Sequence, residues 1–238
     1  MIDLNKIFKN HFNTDKISDD KIRKFAEVHL ERLAANNGTA QFTAMITATT
    51  NAYVAYFGAM TNERTKFAIQ QGLTIAMNNV VDNFKKFVSK KAGVIADVFD
   101  KDTPVYQEFF PSGLSEYSNA TLLTVESLMT TFAAAVERHS TELGAQMQTD
   151  SESFLTDYKA ARGAQLEKIG EVKGQKVTTS TTRDVIENEL MKNIYLIGSM
   201  YVGKTEQCMA FFDQSIIRPN ETVEEEEETP TEPTNPTA

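Results

Sequence analysis

Apolar residues recur at steps of three and four along almost the whole chain, the spacing that lines one face of an α-helix. A short opening places Leu4, Ile7, Phe8 and Phe12 on one side. After Ser18, a residue suited to capping a helix, Ile22, Phe25, Ala26, His29, Leu30 and Leu33 predict a first full helix. Asn36-Asn37-Gly38 predicts its end. From about residue 39 to 100 the stripe runs Phe42, Ile46, Tyr53, Tyr56, Met60, Phe67, Met77, Val81, Phe84, Val88, Ile95 and Val98. Thr49, Glu63, Gln70, Thr74 and Lys91 fill the remaining slots, giving a heptad register with a polar middle. Gly58 and Gly72 are the weak points where such a helix would bend or split.

Asp102-Thr103-Pro104 predicts the end of that segment, and an aromatic loop, 105–118, follows. A third segment from about 119 to 169 carries Leu122, Val125, Met129, Phe132, Val136, His139 and Leu143. Its stripe slips near Thr149-Asp150-Ser151 and resumes with Phe154, Tyr158 and Ile169. Gly170 and Gly174 read as the next turn, and Thr181-Thr182-Arg183-Asp184 as a capping box ahead of a last helix through Leu190, Ile194, Ile197, Tyr201, Cys208 and Phe211. Short turns between long helices favour antiparallel neighbours. The predicted fold is therefore all-α, an elongated antiparallel bundle of long helices over 1–218, followed by an acidic tail over 219–238.

That tail holds Pro, Thr, Asn and Glu with Val223 as its one sizeable apolar residue, too little to offset the entropy of ordering, and is predicted to be disordered. It also explains the charge. The net −9 comes from 33 acidic and 24 basic residues, and seven of the glutamates stand at or after Glu221. The body is nearly neutral. Nucleic-acid binding, which needs a concentrated basic face, is not expected. The best local candidate, Lys159, Arg162, Lys168, Lys173 and Lys176, is interleaved with Asp157, Glu167 and Glu171 and reads as a solvated helix face.

A single cysteine, Cys208, allows no internal disulfide and no cysteine-based metal site, and is read as a small buried hydrophobe. No leader sequence and no run approaching the ~18–20 apolar residues of a membrane span is visible, so a cytoplasmic location is expected. Three glycosylation-type triplets, beginning at Asn37, Asn119 and Asn220, carry little meaning without a secretion signal.

One stretch invites catalytic reading. Gly198-Ser199-Met200-Tyr201-Val202-Gly203-Lys204-Thr205 fits G-x-x-x-x-G-K-[ST]. In a P-loop the backbone amides would cradle phosphates, Lys204 would reach the outer ones, and Thr205 would ligate Mg²⁺. Ile194-Tyr195-Leu196-Ile197 would have to be the preceding strand, yet no other strand-like run exists to build a parallel sheet. The match is therefore read as a chance coincidence within a continuous helix, with Gly198 and Gly203 tolerated for close helix–helix contact. His11, His29 and His139 are scattered; none has the Glu-x-x-His spacing of bundle-bound metal centres, and the latter two lie on apolar stripes. No cofactor or metal ligand set is expected.

Tyr106, Phe109, Phe110 and Tyr117, grouped around Pro111, have two readings. They form either a docking hook for a partner or a plug that closes the end of the bundle, and the plug is preferred. The Leu4/Ile7/Phe8/Phe12 stripe likewise either rests on a membrane or packs on the bundle, and packing is preferred. The function expected from all this is a non-enzymatic structural or protein-interaction module that binds a protein partner or self-associates. A P-loop-type enzyme built on Lys204 and a membrane-acting helical protein are the alternatives.

Overall fold

A computed structural model describes residues 3–218; the acidic stretch 219–238 lies outside them. Every regular element among the described residues is helical. In order they are α1 (Leu4–Phe8), α2 (Asp19–Ala35), α3 (Thr43–Phe99), α4 (Pro104–Phe109), α5 (Ser115–Ser118), α6 (Val125–Arg138), α7 (Ser140–Leu143), α8 (Ala145–Met200) and α9 (Thr205–Met209), with a 3-10 turn at Gln214–Ile216. The architecture is an all-α bundle dominated by two helices of 57 and 56 residues.

Local chemistry explains most boundaries. The Ser18 hydroxyl accepts the Lys21 N–H at 3.4 Å, and Asp19 and Asp20 occupy the positive first turn of α2. At its other end the Asn36 side chain donates to the Arg32 carbonyl at 2.8 Å. Thr103 caps α4 by accepting from the Tyr106 N–H, with Pro104 at the first position, where its missing N–H does no harm.

Two compact units emerge: Met1–Phe57 with Thr182–Ala238 (unit 1), and Gly58–Thr181 (unit 2). The sequence pattern treats 1–218 as a single helical domain; the helices α3 and α8 each contribute to both units. Unit 2 is built around an apolar core of Met77, Val81, Phe84, Val88, Ile95, Phe109, Phe110, Tyr117, Met129, Phe132 and Tyr158, among others. Phe84, Phe87, Phe109, Phe110 and Tyr117 each bring a ring centroid within 6.4 Å of the Phe132 ring. Unit 1 gathers Phe12, Ile22, Phe25, Leu33, Phe42, Tyr56, Ile186, Leu190, Ile197, Phe211 and Phe212.

Several expected breaks fall elsewhere. The third segment does not slip near 149–151. It ends at Arg138, and the chain turns at Gly144, whose φ of +86° is open to glycine at little strain. From Ala145 the helix continues through Gly170, Gly174 and the expected capping box. Thr181 does not cap; its hydroxyl donates back to the Val177 carbonyl at 3.0 Å, a bond made inside a helix. Gly58 and Gly72 do not interrupt α3 either. Phe67 and Val98, expected inside, are 45% and 44% exposed. A straight helix drifts by ~20° per heptad from a strict seven-residue repeat. The inward slot near 67 therefore passes to Lys66, whose ammonium donates to Gln175 at 3.1 Å.

Candidate functional site

The aromatic loop residues lie mostly inside unit 2. Phe109, Phe110 and Tyr117 are buried, and Tyr106 is half-buried against Phe110. The Tyr117 hydroxyl donates to the Phe109 carbonyl at 2.7 Å, and burial, with the nearby Glu116 carboxylate, pushes its pKa upward. A hook needs exposed anchors, and three of these four rings have none to offer.

The P-loop-like match straddles a helix end rather than a continuous helix. Gly198 lies in the last turn of α8, the helix stops at Met200, and Gly203 turns the chain at φ +76° before Lys204 and Thr205 open the five-residue α9. The continuous helix read from the sequence is thus corrected: a left-handed residue is what Gly203 supplies. Close helix contact does not explain Gly198, where an added Cβ would meet nothing within 4 Å. A phosphate cradle follows a strand, whereas here a helix precedes the turn and no strand exists among the described residues. Lys204 and Thr205 are exposed.

Of the histidines, His11 is exposed and His139 sits at the rim of unit 2's core. The His139 Nε2 lies 3.3 Å from Glu108, which also pairs with Arg138 at 3.0 Å. His29 is fully buried. Cys208 is half-buried, its thiol 3.7 Å from the Tyr201 carbonyl. The basic cluster is interleaved in space as in sequence: Lys168 pairs with Glu171 at 2.7 Å, Arg162 bonds Gln165, and Lys159 approaches Glu126 at 3.9 Å. Among the described residues no group of His, Cys, Asp and Glu is placed to hold a metal, and no helix is long and apolar enough to cross a membrane.

What sequence pattern misses is a pair of polar networks within unit 1. In the first, Arg183 donates to Glu187 at 2.7 Å, to Asp19 at 2.7 Å and to the Ile17 carbonyl at 2.7 Å. Glu187, 1% exposed, also accepts from Asn10 at 2.9 Å, and Tyr56 donates its hydroxyl to Asp19 at 2.7 Å. Burial works against the Arg183 charge, yet the bonds to Glu187 and Asp19 outweigh it and leave its pKa raised. Tyr56 is pushed upward too, by burial first and then by Asp19.

In the second network, His29 Nδ1 lies 2.9 Å from the Phe211 carbonyl. A carbonyl only accepts, so Nδ1 carries the hydrogen, and Nε2 of the neutral ring accepts from Asn193 Nδ2 at 3.1 Å. The same amide nitrogen donates to Thr49 at 2.7 Å, while Asn193 Oδ1 is buried without a partner. His29, Thr49 and Asn193 are all 0% exposed. A sequence signal for them exists: Asn193 stands on the apolar stripe of Ile186, Leu190 and Ile197, and Thr49 interrupts the stripe of α3.

The remaining feature is a surface. Between residues 61 and 76 no α3 side chain is buried. There α3 and α8 run antiparallel within unit 2 and meet through polar groups: Gln165 donates to Thr74 at 2.9 Å, and Gln175 to the Ala59 carbonyl at 3.3 Å. Large apolar side chains point outward, with Ile75 62%, Leu166 51% and Val177 68% exposed. Gly72, Gly163, Gly170 and Gly174 have open space where a Cβ would stand.

The chain matches no protein-family model, no curated protein and no solved structure.

Proposed function

We propose that this protein is a structural or interaction module that acts through its surfaces rather than by catalysis, and that it self-associates along the α3–α8 pair of unit 2. The observation that carries this reading is the pair Phe67 and Ile75 exposed on α3, with Leu166 and Val177 exposed on α8, over a stretch whose inner seam is polar. Exposed apolar side chains gathered along one stretch mark association surfaces, because water is excluded from them only when something covers them.

A second copy is the partner that fits. From 67 to 81 α3 carries no charged residue, so a twofold axis through it sets no like charges of α3 together, and on α8 the cations Arg162, Lys168, Lys173 and Lys176 are interleaved with Glu167 and Glu171. Two helices from each copy make four, the number of an up-down bundle packed around an apolar core. The outer glycines would then permit close approach, which offsets the ~1 kcal/mol that each costs a helix.

Sedimentation equilibrium of the full chain across a hundredfold concentration range tests the proposal. The expected mass is a multiple of one chain, reverting to one chain when Phe67 and Ile75 are both replaced by Glu while helical circular dichroism is retained. A single-chain mass at every concentration, or a multimer indifferent to both substitutions, would overturn it.

A further inference from the structure

Residues 205–218 of unit 1 are held in place by few buried groups. Neither α9 nor the 3-10 turn contributes a buried residue. Phe211 and Phe212 do: Phe211 meets Phe42 at 5.1 Å, and Phe212 stacks on the His29 ring at 4.6 Å. Around them lie the bond from His29 to the Phe211 carbonyl, the Arg32–Asp213 pair at 3.3 Å, and the bond from Lys21 to the Arg218 carbonyl at 2.8 Å. Of these attachments, the imidazole alone is fully buried and able to change its charge near neutral pH.

We propose that His29 is an acid-sensitive clasp, whose protonation releases residues 205–217 from the rest of unit 1.

The geometry explains why a proton opens it. The neutral ring donates through Nδ1 and accepts through Nε2, and its two partners match that pattern. A second ring proton would face the Nδ2 donor of Asn193, and two donors do not bond. Rotating the Asn193 amide would bring Oδ1 to the ring and restore a bond, but the cation would stay buried without a carboxylate beside it. Each neighbouring element adds to that difficulty. From α2, the Arg32 charge bears unfavourably on the ring; α3 offers Thr49 and α8 offers Asn193, both uncharged; on the segment itself Asp213 is engaged with Arg32 and Ser215. Departure of Phe211 and Phe212 exposes the ring to water and removes the conflict. The segment is the part to move because local openings draw on the elements with the fewest buried contacts.

Burial holds the His29 pKa down to about 4, the Phe211 carbonyl pulling it back up and Arg32 pushing it down. In the open form the ring returns to its ordinary 6.5. Between those two values the open form gains on the closed one by up to about tenfold per pH unit.

The one cysteine of the chain reports on the segment, since Cys208 lies in α9. The full chain is reacted with 4,4′-dithiodipyridine at pH 7 and pH 4.5, each rate divided by that of the urea-unfolded chain at the same pH. The expected result is a normalised rate at least about tenfold higher at pH 4.5, with the helical circular dichroism retained. His29→Asn, whose amide can still donate to the Phe211 carbonyl but cannot titrate, should give a flat profile. An unchanged ratio in the native chain, an equal rise in H29N, or a loss of helix in step with labelling would each overturn the clasp. Should H29N fail to fold at pH 7, the imidazole titration of the native chain followed by NMR decides. A His29 titration that tracks the labelling supports the clasp, and one at an ordinary histidine pKa overturns it.

Discussion

The aromatic core of unit 2 and the core of unit 1 bury their side chains by different rules. In unit 2, rings from α3, α4, α5 and α6 meet around Phe132, and the buried Tyr117 hydroxyl has its partner in a backbone carbonyl of the same cluster. In unit 1, Arg183–Glu187–Asp19 and His29–Asn193–Thr49 run through or beside the apolar core. Apolar burial is non-directional and degrades gradually when atoms are removed. A buried polar network holds only while every member has its partner, so it is sensitive to proton count and to single-atom changes. The aromatic core of unit 2 is therefore the part expected to resist pH, and the buried networks of unit 1 the part expected to respond.

The sharpest break of that contrast is Phe132→Ala, expected to destabilise unit 2 by ~3–5 kcal/mol in urea unfolding, with Phe84→Ala and Phe109→Ala close behind. A loss below about 1 kcal/mol at Phe109 would revive the docking-hook reading of the loop. In unit 1, Arg183→Met should cost about 3 kcal/mol, because the buried Glu187 carboxyl would lose its guanidinium partner and keep only the bond from Asn10. Adding Glu187→Gln should recover part of that loss, and strict additivity of the two would mean that they do not act as a pair.

Acid should separate the units next. The folded pKa of His29 is depressed, so its contribution is intact above the unfolded value of 6.5 and declines as pH falls towards about 4. The total is on the order of 3 kcal/mol, since each pKa unit is worth about 1.4 kcal/mol. Amide exchange in α2 should register the decline and that in α6 should not; equal weakening of both would erase the distinction. Thr49→Val should cost about 1 kcal/mol, removing one acceptor from the Asn193 amide. Smallest of all, Gly72→Ala should raise stability by up to ~1 kcal/mol in the single chain, where open space surrounds the position. If copies meet there, the same change should weaken their association.

Local signals were legible where they act locally. Ser18 and Asn36 bound α2, and three-and-four spacing located α3 almost to its ends. The turn signals at Gly170, Gly174 and Thr181 misled because glycine or threonine on an exposed helix face only lowers stability, while neighbouring turns hold the helix together. Gly144 and Gly203 do terminate helices, each at positive φ, yet nothing in their immediate sequence sets them apart from Gly170. The polar networks were beyond reach for a different reason. Arg183 meets Asp19 across 164 positions and Asn193 meets Thr49 across 144, separations at which spacing rules say nothing. Asn193, set among Ile186, Leu190 and Ile197, was the clearest hint of a buried pairing, since the stripe holding Thr49 also carries Glu63, Gln70, Thr74 and Lys91.

The interleaving of the units along the chain has a consequence for synthesis. Unit 2 is one uninterrupted stretch, Gly58–Thr181, whereas unit 1 joins Met1–Phe57 to Thr182–Ala238. As the polypeptide leaves the ribosome, α2 emerges with Phe12, Phe42 and Tyr56 near it in sequence, and the whole of unit 2 follows before Phe212, whose ring stacks on Phe25 and His29, exists. At the usual ~5–20 residues per second, Phe211 trails Thr181 by a delay on the order of seconds. During that interval α2 carries part of its apolar face and an unmatched His29 in water.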